Sequence, residues 1–170
     1  MAERARVTLR AATPDDAARL LEWANDPATR AASFDRDPIS WDDHVEWLAG
    51  VLADPDRRLW IAEEAGMPVG QVRIDREPDG AGVVSIGLAD GARGRGLGAA
   101  VLRMGLAAAG RALGISRARA VVRASNAASR GLFEGAGFHA VAGGPVGDLP
   151  EALVLETEIA VVEVDAGTGR

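Results

Sequence analysis

The 170-residue chain has no cysteine, no lysine and no tyrosine. Without cysteine, disulfides, thiolate metal sites and cysteine nucleophiles are excluded. Without lysine, so are a Schiff base and the lysine of a P-loop; all 19 basic residues are arginine. Without tyrosine, no phenol is available as a proton donor. Aromatic residues are only 4% of the chain, four tryptophans and three phenylalanines. No apolar run approaches the roughly 18 residues of a membrane span, and the polar first residues are unlike a secretory leader. Together with the missing cysteine, these features predict a cytoplasmic protein with no membrane partner. The formal net charge of −6 argues against a nucleic-acid backbone as the main partner. No His/Asp/Glu grouping has metal-ligand spacing, so no metal is expected.

What is present fits one domain over residues 1–170, with residues 165–170 as a frayed tail. Residues 6–12 read as a strand. Thr13-Pro14-Asp15-Asp16 then starts a helix, with a cap, a proline at the first helical position and two acids in the first turn. A shorter helix follows over residues 27–32. Ser40 opens a third, with Val45, Leu48 and Leu52 expected to face inward. Strands are predicted at 59–64, 68–76 and 82–88, joined by short turns and therefore antiparallel. A helix over 96–112, a strand over 117–123, a short helix over 126–135 and strands at 138–141 and 153–162 complete the order, with a loose loop over 143–150.

The turn Arg93-Gly94-Arg95-Gly96-Leu97-Gly98 lies between the strand at 82–88 and the helix at 96–112. A glycine-rich turn at a helix N-terminus presents unpaired N–H groups, which with the helix dipole attract a phosphate or pyrophosphate. A dinucleotide fold is disfavoured: the preceding strands are hairpins, and the following strand ends in Val121-Val122-Arg123, without the acid a ribose needs. A plain packing turn is the remaining alternative.

Arg93-x-x-Gly96-x-Gly98 resembles the acyl-CoA pyrophosphate loop of the GNAT superfamily of N-acetyltransferases. About 30 residues on, the segment Asn126-Ala-Ala-Ser129-Arg-Gly-Leu132-Phe133-Glu-Gly-Ala-Gly137-Phe138 is similar to the same family's Asn-x-x-Ala/Ser-x-x-Leu-Tyr-x-x-x-Gly-Phe pattern. The resemblance implies an α/β (α+β) fold. Its central sheet would be mixed and mostly antiparallel, of about six or seven strands, with helices on both faces and one β-α-β crossover carrying the CoA loop. It implies acetyl-CoA as co-substrate, held at Arg93, Gly94, Arg95, Gly96, Gly98 and Ala99. The strand residues Ile86, Gly87 and Leu88 would pair with the pantetheine arm, and Asn126 and Phe133 would lie at its thiol end. Phe133 departs from the family, whose tyrosine protonates the leaving thiolate. Water or Ser129 would have to substitute.

The acceptor half resembles a subgroup that acetylates amino-sugar nucleotides, as in pseudaminic-acid-type pathways. By that resemblance Asn25, Arg30, Trp41, Trp47 and Arg73 would bind the acceptor. His44 and Asp75 are the candidate bases, with Glu63 and Glu64 as alternatives. Gln71, Arg73 and Asp75 alternate on one face of their strand, the pattern of a cleft or of a solvent-facing strand. The reading is thus acetyl transfer to a primary amine, with a protein N-terminus or an aminoglycoside-like amine as the other acceptors. A non-catalytic acyl-CoA-binding module is the alternative of another class. Dimers are common in the superfamily, so a homodimer is a candidate assembly.

Overall fold

The computed structural model describes residues 6–142, 149 and 151–160. Strand β1 (Val7–Ala11) is followed by a 3-10 turn (Pro14–Asp16) and helices α1 (Ala17–Ala24), α2 (Pro27–Ala32) and α3 (Trp41–Ala53). Then come β2 (Arg57–Glu64), β3 (Met67–Arg76), β4 (Gly82–Leu88), α4 (Leu97–Leu113), β5 (Arg117–Arg123), α5 (Ala127–Gly135), β6 (His139–Ala140) and β7 (Ala152–Glu158). They form one seven-stranded sheet in the order β1-β2-β3-β4-β5-β7-β6. Every neighbouring pair is antiparallel except β4 and β5, which α4 joins as a crossover. This is the expected mixed, mostly antiparallel sheet.

Alternation along β3 divides the molecule into two layers. Val72 and Ile74, fully buried, face α4. The opposite face carries Gln71, Arg73 and Asp75 toward α1 and α3. Helix α4 lies close to the sheet because Gly105 faces Val72: a Cβ there would come within 2.9 Å of both Val72 methyl groups. On the other face Leu20, Leu48, Val51, Leu59 and Ile61 make a second core, flanked by Trp23 and Trp47. No helix of the described residues is long and apolar enough to cross a membrane.

The inward stripe of α3 differs from expectation. Val45 and Leu52 are 39% and 37% exposed, whereas His44, Leu48 and Val51 are buried. Positions 45, 48 and 52 also satisfy the helical period. The stripe is rotated by one residue because His44 can be buried: its Nε2 hydrogen bonds to the Ala17 carbonyl at 2.9 Å. Strand β7 stops at Glu158 rather than running on to 162, residues 161–170 lying outside the described ones. The strand expected over 138–141 is only His139–Ala140. The loop at 143–150 and the tail at 165–170 fall mainly or wholly outside the described residues.

Candidate active site

The glycine turn is built as a cradle. After β4 the chain makes a 3-10 turn (Asp90–Ala92) and reaches Gly94 and Gly96 at φ +72° and +76°. These left-handed values are strained for any side chain. The first N–H groups of α4 have no intrahelical partner, and its N-cap, Gly96, offers no side-chain acceptor to satisfy them. Open space surrounds both glycines where a Cβ would stand. Gly98, by contrast, is buried, with Leu132 at 3.3 Å from its would-be Cβ.

The two arginines of the turn are already engaged. Arg93 Nη2 donates to Asp26 Oδ1 at 3.0 Å and to Thr29 Oγ1 at 3.2 Å, and Nη1 to Asp90 at 3.4 Å. It thereby ties the turn to α2, whose N-cap is the same Asp26. Arg95 Nη2 donates to both oxygens of Glu64, at 2.9 and 2.8 Å. Exposed pairs of this kind are worth about 0–1 kcal/mol, so a pyrophosphate can compete for Arg95. Ala99 is exposed on the first turn of α4.

Beside the turn the sheet splits. β4 and β5 pair only at Gly82↔Ala118 and Val83↔Arg119. Beyond Val83 the β4 edge that carries Ile86, Gly87 and Leu88 has no strand partner on its β5 side among the described residues, although β3 pairs with its other edge. An unpaired strand edge is a template for an extended ligand. The wedge opens into a cavity of about 530 Å³. Ser129 and Phe133 of α5 line it, as does Asn126, the helix N-cap, whose Oδ1 accepts from Ser129 N at 3.1 Å. Phe133 is 3% exposed and meets Phe138 edge-on, ring centroids 5.0 Å apart.

The residues expected to bind the acceptor or to act as its base separate into two groups. His44, Trp47, Arg73 and Arg30 line the cavity. Burial pushes the His44 pKa below its ordinary value of 6.5, so the ring is neutral at pH 7. Its Nε2–H donates to Ala17, which leaves the lone pair on Nδ1. Trp47 packs on His44 and lies under the Arg73 guanidinium, 5.4 Å from its ring centroid. Arg30 lines the wall while bracing the segment after α2, donating to the carbonyls of Ala24, Asp35 and Asp37. Asn25, Trp41 and Asp75 are not on the cavity wall. Asn25 clamps the Ile39 backbone through two 2.9 Å hydrogen bonds, and Trp41 is half exposed. Asp75 is held between Arg57 and Arg73, 3.1 Å from each. Among the described residues, no group of three or more His, Asp or Glu is placed to hold a metal ion.

Gln71 and Arg123 are among the wall residues to which the sequence assigns no role. Gln71 was legible as the third polar member of the β3 face. Arg123 carried no signal, because its place in the wall depends on the divergence of β5 from β4.

The model of the acetyltransferase (GNAT) domain matches residues 6–139. No curated protein matches the sequence significantly. Several solved structures share the fold. The spermidine N-acetyltransferase of Vibrio cholerae, in complex with CoA and spermine, superposes with a TM-score of 0.79 at 19% identity, covering 89% of this chain and 95% of that one. The Salmonella typhimurium protein yncA with its cofactor acetyl-CoA gives 0.75 at 20% identity over 92% and 95%. The ribosomal-protein-alanine N-acetyltransferase of Brucella melitensis gives 0.74 at 24% identity over 89% and 99%.

Proposed function

The chain belongs to the GNAT acetyltransferase family, and we propose on that premise that it moves an acetyl group from acetyl-CoA directly to a primary amine. One observation carries this reading: the unpaired β4 edge lines the cavity and runs, through one 3-10 turn, into the glycine cradle at the start of α4. The residues fit the co-substrate. Backbone N–H groups from Gly94 to Ala99 would hold the pyrophosphate, where Gly94 and Gly96 leave open space. The edge at Ile86, Gly87 and Leu88 would pair with the pantetheine arm and aim an N–H at the carbonyl oxygen. When bound, acetyl-CoA supplies an acetyl group on a thiol leaving group.

The chain's own residues have two tasks. His44, neutral by burial, accepts the proton that the amine must lose, directly or through water. The nitrogen then bonds to the acetyl carbon as the carbon–sulfur bond breaks, and sulfur keeps the electron pair. Ser129 or water protonates the thiolate, because Phe133 has no proton to give. A thiol of reference pKa about 8.5 is a tolerable leaving group without a strong acid. No acyl-enzyme on cysteine is available. The candidate acceptors are an amino-sugar nucleotide, a protein N-terminus and an aminoglycoside-like amine.

Phe133 is also the observation that favours the second reading, a module that binds acetyl-CoA without turning it over. Thiol release from acetyl-CoA decides between the two. Release that depends on an added amine is expected; tight acetyl-CoA binding with no release for any amine would establish the module. Phe133→Tyr places a phenol in the cavity wall and is expected to raise kcat up to about 10²-fold, the lower end of what a positioned acid contributes. Acetyl-CoA affinity should be unchanged in that variant. A flat kcat with an unaltered pH profile would remove Phe133 from the leaving-group end of the site.

A further inference from the structure

The cavity wall is cationic although the protein as a whole is acidic. Arg30, Arg73 and Arg123 contribute to it, and among the described residues no aspartate or glutamate does. Two carboxylates stand behind these arginines. Glu151, largely exposed, pairs with Arg123. Asp75 must serve both Arg73 and Arg57. Arg30 is solvated by neutral carbonyl groups and the Ser33 hydroxyl.

Arg73 is the most exacting of the three. It donates through Nε to Asp75 Oδ2, and among the described residues its two terminal nitrogens have no hydrogen-bond partner. Its side chain is three-quarters buried and rests on Trp47. Desolvation destabilises the charged form there, lowering the pKa below its ordinary value. Four of the five N–H donors of this largely buried guanidinium are thus left unused and open to a ligand. Such a fork suits a carboxylate or phosphate, which it meets through two parallel hydrogen bonds.

Two residues earlier on the same face stands Gln71. Its Oε1 is buried and has no hydrogen-bond partner. Gln71 is in register with Gly87 of β4, and its Nε2 lies 3.3 Å from where a Gly87 Cβ would be. The Gln71 amide therefore stands beside Gly87, one of the β4 residues that line the cavity. Buried acceptors of this kind recruit a donor, and an amine N–H is one.

We infer that the acceptor is a primary amine bearing an anionic group, carboxylate or phosphate. Arg73 binds the anion and Gln71 Oε1 accepts a hydrogen bond from the amine. This rests on the acetyl-transfer reading above and sharpens its acceptor. It selects against a polyamine, since an ammonium about 4 Å from a guanidinium is repelled by about 1 kcal/mol in water and about 4 kcal/mol at a protein surface. Arg73 and Gln71 act as binding and positioning residues for the acceptor.

The test is thiol release from acetyl-CoA with matched acceptors. One pair is a set of free α-amino acids against the same amino acids as amides; the other is a hexosamine phosphate against the hexosamine; spermidine is the cationic arm. The anionic member of one pair is expected to exceed its neutral partner at least about tenfold in kcat/KM, as a charge-assisted contact requires. Which pair responds identifies the anion. Arg73→Gln should erase that preference through KM, with acetyl-CoA affinity unchanged as the check on folding. Gln71→Leu should lower kcat/KM for both members and leave their ratio intact. Preference for spermidine or for the neutral members overturns the inference while leaving acetyl transfer standing. So does an equal loss for both members in Arg73→Gln. Release with no member of the panel overturns acetyl transfer to small amines, and this inference with it.

Discussion

Gly96→Glu is expected to weaken acetyl-CoA binding by about 100-fold or more, the equivalent of about 3 kcal/mol. Two effects combine. A non-glycine residue at φ +76° costs about 1–2 kcal/mol, and a carboxylate at the N-cap would occupy and repel the site of a pyrophosphate. No atom lies within 4 Å of the would-be Cβ, so loss of binding should exceed loss of fold stability. Titration calorimetry with acetyl-CoA, alongside a thermal melt, separates the two. Adding Arg93→Ala should abolish binding, since it also releases the turn from Asp26 and Thr29. Unchanged affinity in the double variant would sink the assignment of this turn to the pyrophosphate.

Asp16→Ala is expected to lower stability by about 2–3 kcal/mol, and Tm by about 5–10 °C in a domain of this size. Asp16 is buried and accepts from Arg10 Nη1 and Nη2 at 2.8 and 2.7 Å and from Thr13 N at 2.8 Å. Arg10 also holds Glu63 at 2.7 Å, so one guanidinium binds β1, the following 3-10 turn and β2 together. The estimate stays below the 3–5 kcal/mol of a fully buried pair because Arg10 is partly exposed and keeps Glu63. The hydrogen bond from Arg10 holds the Asp16 carboxyl below its ordinary pKa of 3.8. A depressed folded-state pKa stabilises the fold above the unfolded value, and that contribution is lost as pH falls through the folded one. The Tm difference between the parent and Asp16→Asn should therefore be full at pH 6 and shrink below about pH 4. A difference that stays constant down to pH 2 would remove Asp16 from the acid response.

The legible parts of the site were those written in local sequence. The glycine turn was readable because Gly94 and Gly96 adopt backbone angles that other residues resist, and composition alone reports that. Asn126 was readable as both a cap and a site residue; the cap is present, and the wall position is shared with Ser129 and Phe133. The face of β3 was readable from its period of two. The fate of its polar residues was not: Gln71 is left with an unpaired oxygen, whereas Asp75 is consumed by two arginines. Nothing local distinguishes them, because Arg57, the competing partner, lies on another strand. The same holds for Arg93 and Arg95, whose carboxylates come from α2 and β2, and for Asn25, which clamps a backbone 14 residues away.

By itself the sequence determined the order of the elements, the place of the phosphate cradle and the absence of cysteine, lysine and tyrosine chemistry. These follow from backbone preference, side-chain period and inventory, all of which act over a few residues. The tertiary structure decided how far β4 stays paired with β5, which face of α3 turns inward and which arginines keep free donors. It also decided the sign of charge in the cavity, opposite to that of the whole chain. Those are outcomes of competition among partners distant in sequence, and only the packed sheet brings the competitors together.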